Sequence, residues 1–186
     1  MKMCEGSGPL EGFVDANYAG DLDTRRSTTG YLFCVYGGSV SWRSILQPIM
    51  VLSTIEVEYI GITEAAKEAL WLRRLIDELG VEQSKVTLFS DSQSALLLAQ
   101  NPVYHARTKH IDVRYHRIRE LVEEGEVKLM KVHTKENQSD ALMKVLPRDS
   151  FQRCVARMGL LRRDEFTRTW KHQGGECELR SGTPKS

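Results

Sequence analysis

Residues 53–80 read STIEVEYIGITEAAKEALWLRRLIDELG and predict one long helix. Ser53 or Thr54 can cap the first turn, no proline interrupts the run, and Gly80 follows its end. Apolar residues recur at spacings of three, four or seven, which places them on one face: Ile55, Ile62, Ala65, Ala69, Leu72 and Ile76. We therefore expect a helix that packs this face against the rest of the fold.

Differently patterned segments lie on the two sides of this helix. Three strands are predicted before it, the last two joined as a hairpin by Gly37-Gly38: Gly12–Ala16, Thr29–Tyr36 and Ser39–Arg43. Strands and helices alternate after it: a strand at Val86–Ser90, a helix at Ser92–Ala99, a helix closed by Gly125, a strand at Val127–His133 and a helix at Glu136–Lys144. This order predicts an α/β fold with a five-stranded mixed sheet, three antiparallel strands and then two more, flanked by helices.

Length and composition are those of one globular domain. The chain has 186 residues, of which 41% are hydrophobic and 27% charged, which argues against a disordered or fibrous protein. We assign residues 1–9 to a polar leader, 10–160 to the domain and 161–186 to a loosely ordered tail. The net charge of +1 excludes a polybasic coat, so any nucleic-acid surface has to be a local patch.

The sequence favours an intracellular protein, in the cytoplasm or the nucleus. Its longest uncharged stretch, residues 27–42, is polar and contains Gly37-Gly38, so we expect no membrane partner. No signal peptide is visible at the amino terminus. The four cysteines lie far apart and are interpreted as reduced thiols: Cys4, Cys34, Cys154 and Cys177.

Two aspartates lie on predicted strands or at their ends. Asp91 directly follows the strand Val86–Ser90, at the carboxyl end where sites form in α/β sheets. It could equally be the N-cap of the next helix. Asp15 lies inside the first strand, where a carboxylate is disfavoured unless it has a role beyond packing.

Helical geometry separates the two glutamates of the long helix. Residues two apart differ by about 200° around the axis, so only one of Glu56 and Glu58 can face the sheet. Glu58 shares the stripe of Ile55 and Ile62, whereas Glu56 is interpreted as a solvated charge in the first turn. A carboxylate on the buried side requires a cation or a metal.

Asp140, in the last predicted helix, would by itself be an ordinary surface acid. These four acids come from separate elements, and no paired His or Cys accompanies them. Oxygen-only ligand sets favour Mg²⁺ or Mn²⁺. The four acids therefore fit a hard cation bound by oxygen, and a pair of such ions serves phosphodiester cleavage.

Residues 103–119 form the strongest basic patch of the chain. It includes Arg107, Lys109, Arg114 and Arg117, our candidates for contacts with nucleic-acid phosphates. Acidic residues follow directly from Glu120 onward. The alternative is therefore a solvated helix face held by ion pairs between neighbouring turns.

An ordered set of motifs resembles a known family. The set consists of GFVDANYAGD (12–21), RRSTTGY (25–31), VSW (40–42), LSTIEVEY (52–59), KEALWLR (67–73), SDSQSA (90–95), RTKHIDVRYHRIR (107–119) and VHTKENQSD (132–140). Together these motifs look like the ribonuclease H domain of copia-type LTR retrotransposon Pol polyproteins, especially those of plants. The match covers roughly residues 10–160 in the right order.

The resemblance implies a ribonuclease H-like fold, two divalent metal ions and hydrolysis of the RNA strand of RNA–DNA hybrids. It places the family's catalytic, metal-binding acids at Asp15, Glu58, Asp91 and Asp140. It also implies a reverse transcriptase domain, absent from this chain, as a partner. His133 is a candidate proton shuttle, with a structural end-of-strand histidine as the alternative.

Two other classes of function remain open at this stage. One is a catalytically silent, domesticated or decayed remnant that binds nucleic acid or only folds. The other is a nuclease or integrase of the same fold that acts on DNA. The four acids favour an active enzyme over a remnant, and the motifs around them favour a hybrid-cleaving enzyme over one that acts on DNA.

Overall fold

A mixed sheet forms the centre of the molecule. The computed structural model describes residues 10–100 and 117–160. Five strands lie in the order β3-β2-β1-β4-β5: β1 (Leu10–Asn17), β2 (Thr28–Val35), β3 (Gly38–Leu46), β4 (Val86–Ser90) and β5 (Val127–Lys131). β1, β2 and β3 pair antiparallel, whereas β4 pairs parallel with β1 and β5 parallel with β4. The predicted mixed sheet is therefore confirmed, while the proposed leader and tail lie outside the described residues.

The hairpin between β2 and β3 turns at Tyr36 and Gly37. Both residues have positive φ, 49° and 80°, as in the two-residue turns whose twist matches that of paired strands. The predicted hairpin is present, with the turn one residue earlier than Gly37-Gly38.

Within residues 10–100 and 117–160, four α-helices accompany the sheet: α1 (Thr54–Glu78), α2 (Gln93–Gln100), α3 (Arg117–Glu123) and α4 (Arg148–Arg157). Ser53 caps α1, because its side chain accepts a hydrogen bond from the Glu56 N–H, and Gly80 follows with a φ of 82°. The buried surface of α1 is wider than the predicted stripe, since Ile60 and Thr63 are buried as well. Ile55, by contrast, is 40% exposed and does not belong to the core. In the described residues, no helix has both the length and the apolar character that crossing a bilayer requires.

The chain after β5 differs from the prediction. The expected helix at Glu136–Lys144 is replaced by two short 3-10 helices, Thr134–Glu136 and Gln138–Leu142. Asn137 separates them: its Nδ2 donates to the Val14 carbonyl of β1 at 3.0 Å, and its Oδ1 accepts from the Ser139 N–H. This side chain ties the segment to the central strand, so a continuous α-helix does not form.

Helix α4 was not predicted from the sequence. It begins after Pro147 and buries Cys154 and Met158 against Leu32 and Cys34 of β2. Only these two positions of residues 148–158 are buried, so the sequence offers few apolar residues to mark the helix. Both cysteines are free thiols, as expected.

Strand register brings two acidic positions to one end of the sheet. Phe13 of β1 pairs with Phe89 of β4, and their rings stack at 5.1 Å between centroids. Because the strands are parallel, Asp15 and Asp91, each two residues further on, lie at the same level. The sheet thereby positions two of the four candidate acids.

Gly12 and Gly61 offer a matched test of the packing beside this site. A Cβ at Gly12 would lie 2.5 Å from both Leu88 Cδ2 and Phe33 Cε1, whereas one at Gly61 would make ordinary contacts at 3.5 Å. We expect Gly12→Ala to lower the free energy of unfolding by about 1–3 kcal/mol through overpacking. Gly61→Ala should be neutral or stabilising by up to about 1 kcal/mol, because alanine is the better helix former. Urea denaturation measures both, and equal effects of the two variants would contradict the packing described here.

Candidate metal centre

Three carboxylates converge at the carboxyl end of the central strands. Asp15 of β1, Glu58 of α1 and Asp91 after β4 each offer a ligand atom, and these atoms all lie within 4.8 Å of one another. Asp15 is 2% exposed, and the other two are partly buried. The structure thus brings together three of the four acids that the sequence singled out.

Glu58, rather than Glu56, points to this cluster. Its Oε2 is buried and has no hydrogen-bond partner. Glu56 is mostly buried too, at 9% exposure, and its Oε2 accepts from the Leu52 N–H at 3.1 Å. The expectation that Glu56 is solvated was therefore wrong, because its carboxylate is buried and bound by the segment before α1.

Asp91 is not the cap of α2. Ser92 takes that role, since its Oγ accepts from the Ala95 N–H at 3.4 Å and its carbonyl accepts from the Leu96 N–H. The Asp91 carbonyl accepts from Lys131 Nζ at 2.7 Å, which ties the end of β4 to β5. The Asp91 carboxylate is thereby left to the acidic cluster.

Asp140 reaches the cluster through a lysine. It lies in the 3-10 helix Gln138–Leu142, and its Oδ1 is 3.1 Å from Lys144 Nζ. The same ammonium lies 2.6 Å from Asp15 Oδ2. The fourth acid is thus adjacent to the first, with a positive charge shared between them.

Burial and neighbouring acids shift Glu58 and Asp15 toward their protonated forms. Desolvation raises the pKa of Glu58 to about 9, and the charges of Asp15 and Asp91 add to the shift. Desolvation, with a hydrogen bond to Asp140, raises the pKa of Asp15 to about 7, although Lys144 opposes this shift. For Lys144, burial lowers the pKa, but its interactions with Asp15 and Asp140 outweigh burial and raise it. The cluster is therefore short of positive charge.

The donor set fits a hard divalent cation. All donors are carboxylate oxygens, which Mg²⁺ and Mn²⁺ prefer. The unpartnered Oε2 of Glu58 is a buried acceptor that a cation would satisfy. Desolvated acids at this distance from one another are costly unless positive charge joins them.

Gln47 positions the start of α1, a role that the sequence did not reveal. Its Nε2 donates to Thr29 Oγ1 and to the Val57 carbonyl, both at 2.9 Å. Thr29 pairs with Ala16, next to Asp15, and Val57 precedes Glu58. This buried amide therefore fixes the turn that carries Glu58 against β2, the strand that pairs with the one carrying Asp15.

His133 has a structural role at the end of β5. Its Nδ1 accepts from the Lys135 N–H at 3.2 Å and caps the first 3-10 helix. This hydrogen bond corresponds to the alternative left open by the sequence. A proton-shuttle role would have to use the other ring nitrogen and stays a prediction.

The candidate nucleic-acid residues are only partly described. Arg107, Lys109 and Arg114 lie outside the described residues. Arg117 is exposed and forms ion pairs with Glu120 and, at 3.5 Å, with Glu124. At this position the structure therefore shows the paired helix face of the alternative interpretation.

Comparison with known proteins identifies the relatives of this chain. It is 52% identical over 156 residues to the "Retrovirus-related Pol polyprotein from transposon TNT 1-94" of Nicotiana tabacum. The match covers 83% of this chain and 12% of that polyprotein. The chain is homologous to one segment of retrotransposon Pol polyproteins. No protein-family model matches it.

Solved structures assign the fold of this Pol-related chain. It superposes with a TM-score of 0.50 on the N-terminal RNase H domain of Rv2228c from Mycobacterium tuberculosis, with 11% identity and coverage of 81% of this chain and 98% of that one. A foamy viral protease-reverse transcriptase in complex with dsDNA gives the same TM-score at 15% identity, covering 77% and 95%. The Pol-related chain has a ribonuclease H-like fold, as its motifs predicted. It spans only about an eighth of the tobacco polyprotein's length.

Proposed function

We propose that this chain is a metal-dependent endoribonuclease that cleaves the RNA strand of RNA–DNA hybrids. The observation that carries the proposal is the convergence of Asp15, Glu58 and Asp91, with one buried oxygen of Glu58 unpartnered. The ribonuclease H-like fold and the retrotransposon relatives support the same activity.

Each acid has a distinct part in this proposal. Glu58 and Asp91 would hold one divalent ion together with Asp15, and Asp140 would help Asp15 to hold a second. Two such ions lower the pKa of an attacking water and stabilise the departing 3′ oxygen. Gln47 keeps Glu58 in place relative to Asp15, because its amide joins α1 to β2, whose Thr29 pairs with Ala16 beside Asp15. The products would be RNA ends with a 5′-phosphate and a 3′-hydroxyl.

The proposed substrate is distinguished by its 2′-hydroxyls, which only one strand of a hybrid carries. The proposed partner is a reverse transcriptase domain, since the relatives are Pol polyproteins and one solved structure of this fold belongs to a protease-reverse transcriptase. Such a domain could add contacts with the hybrid.

A cleavage assay tests the proposal directly. The chain is incubated with Mg²⁺ and an end-labelled RNA–DNA hybrid, with the DNA duplex of the same sequence as the control. We expect cleavage confined to the RNA strand of the hybrid and abolished by EDTA. Cleavage of duplex DNA would favour a DNA nuclease of this fold, and binding without cleavage would favour a silent remnant.

The basic patch gives a separate prediction about substrate binding. If Arg114 and Arg117 contact phosphates, Arg114→Ala/Arg117→Ala should weaken hybrid affinity and lower the salt slope by about one counterion per residue. The loss should appear mainly in KM, because the acids are untouched. Fluorescence anisotropy across a salt series measures it, with the exposed pair Arg74→Ala/Lys85→Ala as control. An unchanged salt slope would mean that these two arginines do not contact phosphates. The charge of Arg117 would then serve its ion pairs with Glu120 and Glu124.

A further inference from the structure

Lys144 already places a positive charge inside the acidic site. Its Nζ lies 2.6 Å from Asp15 Oδ2 and 3.1 Å from Asp140 Oδ1, so it contacts one acid of the central strand and one of the carboxyl-terminal segment. Hydrogen bonds at these distances between charged groups are strong. The ammonium is therefore a built-in partner of both acids.

This contact divides the site into two unequal halves. Asp15, Glu58 and Asp91 form a cluster with an unpartnered buried oxygen. Asp15 and Asp140 form the other half, where the ammonium satisfies one oxygen of each. A cation arriving at the first half meets an unsatisfied acceptor, whereas one arriving at the second meets a like charge already bound.

The Lys144 side chain can move away from the two acids. Its side chain is 36% exposed, and the next residue, Val145, is fully exposed. The ammonium is carried on a flexible four-carbon stem, so it can move toward solvent without a change in the backbone. The ammonium donates hydrogen bonds to the carboxylates of Asp15 and Asp140.

We propose that Lys144 is the resident counter-cation of the Asp15/Asp140 half, so that divalent ions bind in order. The first binds at Asp15, Glu58 and Asp91, and the second binds only by displacing the Lys144 ammonium. This inference rests on the proposed function, in which the four acids hold two divalent ions. Lys144 would thus set the affinity for the second ion, and hence the metal concentration at which both ions are bound.

Calorimetric titration of the full chain with Mn²⁺ tests this order without any measurement of cleavage. The parent should show one tight and one weak site. Lys144→Met should tighten the weak site by at least about tenfold, within the 10–100-fold range typical for groups that act on metal ligands. The tight site should change much less.

Lys131→Met is the matched control. Lys131 also lies beside the cluster, but its ammonium donates to the Asp91 carbonyl, not to a carboxylate. The two variants remove the same charge, so equal effects on the weak site would show a general field effect and would overturn the proposal.

Lys144→Arg covers the case in which Lys144→Met does not fold. Arginine keeps the charge and can hold carboxylates in a bidentate manner, so it should be harder to displace. We expect it to weaken the second site further, and an unchanged second site would overturn the proposal. If the parent binds no Mn²⁺ at all, the proposed function itself fails. If the parent binds two ions and the Lys144 variants do not change their affinities, only the inference about Lys144 fails.

Discussion

Asp15→Asn is expected to abolish hybrid cleavage, with a loss of more than about 100-fold. Asp15 is the acid common to both halves of the site, since it belongs to the cluster with Glu58 and Asp91 and also contacts Lys144 beside Asp140. Loss of even an outer-shell partner typically costs 10–100-fold in metal affinity or activity, so loss of a shared ligand should cost more. Initial cleavage rates at saturating Mg²⁺ measure the effect.

Asp77→Asn is the control for this substitution. It makes the same chemical change at an exposed position of α1, outside the acidic cluster. We expect its cleavage rate to match the parent. A variant Asp15→Asn that keeps more than a tenth of the parent rate, while binding hybrid normally, would contradict the assignment of Asp15.

Glu58→Gln is expected to stabilise the metal-free protein at neutral and alkaline pH. The folded state raises the pKa of Glu58 from 4.5 to about 9, so folding retains a proton that the unfolded chain releases. Glu58 therefore does not reduce the free energy of unfolding below pH about 4.5. As the pH rises from there toward 9, the free energy of unfolding falls. At pH 7 this linkage amounts to at most about 3 kcal/mol, and glutamine removes it because it carries no charge.

Thermal unfolding in EDTA across pH 5–9 measures this effect. We expect the Tm of Glu58→Gln to exceed that of the parent by roughly 5–10 °C at pH 7 and to change less with pH. In the parent, Mg²⁺ should raise the Tm, since a ligand of the folded state stabilises it, and the variant should lose most of that response. The control Glu78→Gln, exposed at the end of the same helix, should leave both properties unchanged. A lower Tm for Glu58→Gln in EDTA would mean that the Glu58 carboxylate is satisfied within the protein.

The sheet and the long helix were predictable because their signals are local. The hairpin glycine, the capping Ser53 and the apolar spacing of α1 all lie within single elements. The choice of Glu58 over Glu56 as the glutamate of the acidic cluster followed from helical geometry. The burial of Glu56 did not, because it depends on the segment before α1, whose Leu52 N–H donates to it.

The carboxyl-terminal part of the site was less predictable because long-range contacts shape it. Asn137 binds the Val14 carbonyl across the fold and breaks a segment whose pattern resembles a helix. Lys144 gave no signal beyond a surface charge, since its partner Asp15 is far away in sequence. Gln47 likewise acts by joining three separate elements through one buried amide.

The pairing of β1 with β4 also has a consequence for how the protein is made. β1 is synthesised first among the strands, yet its parallel partner follows only after the hairpin and the whole of α1. Contacts this distant in sequence form late, because closing a long loop costs entropy before the pairing repays it. Asp140 and Lys144 come later still. A nascent chain therefore cannot assemble the four acids until the residues after β5 have been made, so the proposed chemistry has to wait for almost the whole of residues 10–144.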